Sequence, residues 1–159
     1  MKKMKIITGE TLRQVSEAAA GSPRLRKNHN LHPSDTSRCH RLLNAIEPGS
    51  YIRPHRHLDP EKDESFILMC GRLAVILFDD DGQATEAVVL SRENDTLVAD
   101  VPSGVYHTAV SLQPGTVFFE AKAGPYLPLG EAEVAPWAPP EGDGAAPGYL
   151  EGLLTLVPS

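Results

Sequence analysis

The chain has 159 residues, 41% of them apolar and 23% charged, with a formal net charge of -6. That length fits one domain with a short arm at each end. The negative field repels nucleic acid and anionic membrane surfaces, and the strongest basic cluster, Arg24, Arg26 and Lys27, has no interleaved aromatics, so neither is an expected partner. Apolar runs such as LAVILF fall far short of the roughly 20 residues that a membrane-spanning helix needs. The start MKKMKIITGE lacks the apolar stretch of a signal peptide, and Cys39 and Cys70 form no CxxC pattern. A reduced, cytoplasmic protein is the expectation.

In chain order, the first element is GETLRQVSEAAAGSP. Leu12, Val15 and Ala19 recur at helical spacing, and Gly21 with Pro23 stops the pattern, which predicts a helix near residues 10 to 20. RLRKNHNLHPSDTS follows without periodicity and reads as an extended arm or loop, so residues 1–37 are assigned to helix and arm. From residue 38 the texture becomes β. RCHRLLNAIEPG, SYIRPHRH, SFILMCG, RLAVILFDDDG, ATEAVVLS, TLVADVPSG, VYHTAVSLQPG and TVFFEAKAG give eight strand candidates separated by turn signals. DDDG is a hairpin turn, and no helical segment interrupts the series, which predicts an all-β sandwich or barrel over residues 38–123. Residues 124–159 form a Pro/Gly-rich tail. Its Tyr126, Leu127, Trp137, Tyr149, Leu150, Leu153 and Leu154 are costly to leave in water, so the tail is expected to pack on the barrel or on a partner subunit.

The stretch PHRHLDPEKDES holds two histidines one residue apart followed by several acids. In an extended segment, residues two apart share a face, so His57, His55, Arg53 and Tyr51 would point together. Two imidazoles at that spacing can hold one metal ion, although such a pair is more often a surface or hydrogen-bonded structural one. By the same alternation Glu64, Phe66, Leu68 and Cys70 share a face, as do Val105, His107, Ala109 and Ser111.

Two composite patterns surround these residues. Gly49 is followed by His55-x-His57, an acid and Gly71, and Pro102-x-Gly104-x-x-His107 comes later. Together they resemble the two motifs of the cupin superfamily, a double-stranded β-helix or jelly-roll barrel. The resemblance implies one divalent transition metal held by His55, His57, Glu64 and His107. Glu64 is preferred to Glu61 because it leads directly into SFILMCG with Gly71 in place, whereas Glu61 follows Pro60 in a charged turn. The blocks SPRLRKNHNLH, RLLNAIEPGSYIRPHRH, GRLAVILFDDDG, PSGVYHT, FEAKAGPY and WAPPEG are similar to the WbuC-type cupin metalloproteins, often encoded among bacterial surface-polysaccharide genes. Dimerisation is common among cupins, and the tail is the segment that would serve a homodimer.

Three imidazoles and a carboxylate suit Zn, Fe, Ni, Mn or Cu alike. Arg53, with Tyr51 beside it, is a candidate for binding a carboxylate or phosphate, or for a structural ion pair. Glu120 and Lys122 share a strand face and are candidates for acid–base catalysis, a solvated salt bridge being the alternative. His32 and His40 either line the mouth or hydrogen-bond locally, and Cys70 reads as core. The expected ligand is a small polar or anionic molecule. The leading function is a metal-dependent sugar isomerase or epimerase step in polysaccharide assembly. The alternatives are an iron-dependent dioxygenase and a non-catalytic metabolite-binding protein.

Overall fold

The computed structural model describes residues 3–158. The element order is α1 (Gly9–Ala20), β1 (Arg26–Asn30), β2 (Cys39–Ile46), β3 (Glu64–Cys70), β4 (Leu73–Phe78), β5 (Ala84–Leu90), β6 (Val98–Val101), β7 (Tyr106–Ser111), β8 (Thr116–Ala123) and α2 (Ala146–Thr155). Two antiparallel sheets face each other, one ordered β1-β2-β8-β3-β6 and the other β5-β4-β7. This is the jelly-roll sandwich that the turn spacing predicts. Among the described residues no helix is long and apolar enough to cross a membrane.

Alternation assigns each strand residue to a layer. Ile46, Phe66, Leu68, Leu73, Val75, Ala109 and Phe118 fill the space between the sheets. Leu43, Ala45 and Val117 point the other way, and Val15 and Ala19 of α1 cover them. Thr8 caps that helix: its hydroxyl accepts the Thr11 N–H at 3.3 Å, and the Thr11 hydroxyl accepts the Thr8 N–H at 3.3 Å. Ala74, Ile76, Phe78, Tyr106 and Val110 form the outer face of the small sheet, which the tail covers with Ala135, Ala138, Leu150 and Leu153. β7 is therefore buried on both faces.

Two differences from the sequence reading concern this frame. The arm is not all loop, because Arg26–Asn30 pairs with Ile46–Leu42 and becomes an edge strand of the large sheet. Its polar residues left no alternation to read. SYIRPHRH forms no continuous strand and contributes only a bridge at His55. Two glycines are fixed by close approach. Gly71 has φ +84°, and a Cβ there would collide with Thr116. Gly82, with φ +85° in the predicted β4–β5 turn, lies where a Cβ would meet the Trp137 ring at 2.6 Å.

The tail is latched as well as packed. Trp137 lies 5.1 Å from the Phe78 ring and 5.8 Å from Tyr106, centroid to centroid. Glu141 accepts from Arg24 at 2.7 Å and from Arg26 at 2.6 Å. Hydrogen bonding to Arg24 first, and to Arg26 with it, holds the Glu141 carboxyl down at about 2, below its ordinary 4.5. Trp137→Ala is expected to destabilise the fold by about 3 kcal/mol, and the exposed Leu154→Ala by less than about 0.5 kcal/mol, read as urea midpoints. The depressed Glu141 pKa contributes stability that is complete above about pH 4.5 and is lost as pH falls towards 2. Because the pair is partly solvated, Glu141→Gln should cost no more than about 1 kcal/mol at pH 7 and nothing near pH 2.

Candidate metal centre

The site is built from three places in the chain. β3 begins at Glu64 and alternates Glu64, Phe66 and Leu68 into the interior. β7 sends His107 and Ala109 inward while Tyr106 and Val110 face the tail. The segment carrying His55 and His57 lies beside β7. The His55 N–H donates to His107 O at 3.0 Å, and the His107 N–H donates to His55 O at 2.8 Å. On its other side the tail supplies a second rail: Arg56 N–H donates to Glu133 O at 2.8 Å, and Ala135 N–H donates to Pro54 O at 2.9 Å.

These elements bring His55, His57, Glu64 and His107 together, with their ligand atoms within 4.8 Å of one another. Glu64 Oε2 is 3.0 Å from His57 Nε2 and 3.1 Å from His107 Nε2. Two donors bound at right angles to one ion, each at about 2.1 Å, stand roughly 3 Å apart, so this spacing fits a metal. The Nδ1–H groups of His55 and His107 donate to the carbonyls of Arg53 and Val105, each at 3.0 Å. That fixes the tautomer and leaves Nε2 of each ring as a lone-pair donor. Burial first, then the neighbouring His107, pushes the His55 pKa down to about 3, so this imidazole stays in its neutral, metal-binding form. Glu61 is exposed in the turn after Pro60, and its N–H bonds Asp59.

Beyond the donors lies a buried charge relay. Burial pushes the Glu64 pKa up, but the Lys122 ammonium and the two imidazoles outweigh it and hold the carboxyl well below its ordinary range. Lys122 Nζ reaches Glu64 Oε1 at 3.1 Å and Glu120 Oε1 at 2.6 Å. Asn44 Nδ2 donates to the other oxygen of Glu120. Burial, reinforced by the Glu64 charge, pushes Glu120 up to about 8. The salt bridge foreseen as solvated is thus an interior one. Lys122 remains charged, because its two carboxylates more than offset its burial. These groups line a cavity of about 530 Å³, with Ile52, Phe66 and Phe118 as its apolar wall.

Other expected site residues lie elsewhere. Arg53 and Tyr51 do not point with the histidines: Arg53 donates to Ala135 O at 2.7 Å and Tyr51 to Pro139 O at 2.8 Å, both in the tail. Ile52 and His55 both line the cavity, so the alternation slips by one residue around Pro54 and turns Tyr51 and Arg53 to the opposite face. Arg53 braces the backbone beneath the histidines. Cys70 also leaves its expected face, because a bulge between Leu68 and Cys70 moves it to the cluster under α1. His32 and His40 stack at 3.9 Å; His40 both donates from Nε2–H to Asp35 O at 3.1 Å and lines a small cavity shared with His55, His57 and Lys122. Sequence reasoning missed Asn44, whose only signal was an inward parity on β2 shared with Leu42 and Ile46.

A family model described as "Domain of unknown function (DUF6016)" matches residues 7–90, more than half of the chain, and the protein belongs to that family. No curated protein matches the sequence. Among solved structures, KdgF from Halomonas sp. is 18% identical, with 67% of this chain and 84% of that chain covered and a TM-score of 0.51. TT1209 from Thermus thermophilus is 19% identical, with 76% and 97% covered and a TM-score of 0.53. A cupin superfamily protein from Desulfitobacterium hafniense is 14% identical, with 62% and 76% covered and a TM-score of 0.48. The first two likenesses concern the fold alone. The fold itself is two facing antiparallel sheets with a short N-terminal helix.

Elemental analysis after identical purification tests the donor set. His57→Ala and His107→Ala should lose most of the metal, Glu64→Ala should bind it more weakly, and Glu61→Ala should keep it. Arg53→Ala, which touches no donor atom, should lower metal affinity by about tenfold through the loosened backbone. In the metal-free protein, the depressed His55 pKa means that below about pH 6.5 the unfolded chain takes up a proton that the native state refuses. Stability should therefore fall as pH drops from 6.5 towards 3, and less steeply in His55→Gln.

Proposed function

We propose that this member of the DUF6016 family is a metal-dependent cupin that isomerises or epimerises a small polar or anionic molecule of the sugar class. The supporting observation is Glu120: a buried carboxyl with a pKa near 8 lines the same cavity as His55, Glu64 and His107. His55, His57, Glu64 and His107 would hold the ion. A bound divalent metal supplies Lewis-acid polarisation of a carbonyl or hydroxyl oxygen. Glu120 then serves as the acid–base group, since a carboxyl that titrates near neutrality can both take and return a proton. Asn44 and Lys122 each occupy one of its oxygens, which fixes its orientation. Phe66 and Phe118 line the same cavity and give it an apolar wall beside the proton transfer. The ordered blocks that resemble those of the WbuC-type proteins support a place in surface-polysaccharide assembly.

The test is incubation of the metal-loaded protein with aldoses, ketoses and uronic acids in D₂O, followed by NMR. Deuterium should enter at the carbon next to the carbonyl, and Glu120→Gln should slow this by about 100-fold without loss of metal. Exchange that survives in Glu120→Gln would refute the acid–base role. Dioxygen uptake with Fe(II) in place of exchange would favour a dioxygenase.

A further inference from the structure

The donor cluster is reached from two cavities. Besides the large one between the sheets, a second of about 190 Å³ adjoins it; His55 and Lys122 line both, and His57 lines the second and not the first. Residues 125–129 form one wall of this second cavity. This strap leaves its large apolar groups uncovered beside ionisable residues: Tyr126 is 57% exposed and Leu127 66%. These two side chains leave an apolar face available for packing at the rim of a cavity that also holds His55, His57 and Lys122.

The strap is nonetheless anchored. The Gly124 N–H donates to Arg38 O at 2.9 Å, the Tyr126 N–H to Asp35 O at 2.7 Å, and Lys62 Nζ to Pro125 O at 3.1 Å. The wall is therefore preformed, with Tyr126 also lining the larger cavity. At about 190 Å³ the cavity has room for a single ring, with residues 125–127 and Leu129 as its apolar side and His40, His55, His57, Lys62 and Lys122 as its polar one.

We propose that the strap is a subsite for a flat apolar ring carried by the ligand, with Tyr126 as the packing face and the ligand's polar or anionic head directed to the metal donors and Lys122. This rests on the reading of the site as one that handles a small molecule, and it makes Tyr126 a specificity-determining residue. The anchored backbone means that the ring docks without first ordering the loop, so the preference resides in the side chains.

Two probes with the same anionic head separate the contributions: methylphosphonate, which lacks a ring, and phenylphosphonate, which has one. Both are titrated by calorimetry into the metal-loaded and the metal-free protein. The affinity for methylphosphonate reports on the metal and the phenyl-to-methyl ratio on the subsite, so the two readings fail separately. Phenylphosphonate should bind about tenfold more tightly than methylphosphonate. Tyr126→Ala should bring the ratio within about twofold, Tyr126→Phe should keep it, and Leu127→Ala should lower it in part. A ratio of one in the unmodified protein, a ratio that survives Tyr126→Ala, or no binding of phenylphosphonate would each overturn the proposal.

Discussion

The carboxylate of Glu64 is the interaction around which this protein is organised. A buried anion is costly unless it is paired, and Glu64 is 3% exposed. The Lys122 ammonium compensates it on one side, while on the other the Nε2 atoms of His57 and His107 stand 3.0 and 3.1 Å away, the spacing that a shared cation would fill. These neighbours come from the segment before β3, from β7 and from β8, so both sheets must be in place before the cluster around Glu64 is complete. Any divalent cation accepted there would be held by the same anion that fixes Lys122, and through Lys122 the neighbouring Glu120.

The two sides of Glu64 divide the labour. Towards the histidines, backbone carbonyls of Arg53 and Val105 hold two rings with Nε2 free, so the cluster is ready for a Lewis acid. Towards Lys122, two carboxylates share one ammonium, and burial makes it unfavourable for both to be charged. Glu64 keeps its negative charge and Glu120 takes the higher pKa. Two carboxyls with separated pKa values near one cavity are the arrangement from which acid–base chemistry is built.

The tail matters to this chemistry because it is the second rail under the histidines. Residues 133 to 135 bond the backbone of residues 54 to 56, and Arg53 bonds Ala135 O. Packing of Trp137, Leu150 and Leu153 on the small sheet keeps that rail in place. A Pro/Gly-rich segment that composition alone would leave as a wrap thus positions the His55–His57 segment more than 75 residues earlier in the chain.

Much of this was legible from residue order. Turn signals and alternation located seven of the strands and the first helix, because burial on one face enforces period two and a helix enforces 3.6. His55, His57, Glu64 and His107 were named from a motif resemblance; Glu64 and His107 lie on strands that the pattern marks, whereas His55 and His57 lie in a segment that only bridges β7. Tertiary structure decided the rest. Arg26–Asn30 is an edge strand because β2 offers it a partner, a long-range pairing that its polar sequence does not announce. Tyr51 and Arg53 face the tail because the alternation slips near Pro54, and Cys70 faces α1 because of a bulge. A slip of one residue inverts every face beyond it and leaves no trace in composition. The bond between Asn44 and Glu120, like the strap beside His57, joins residues whose proximity exists only once the sheets have closed.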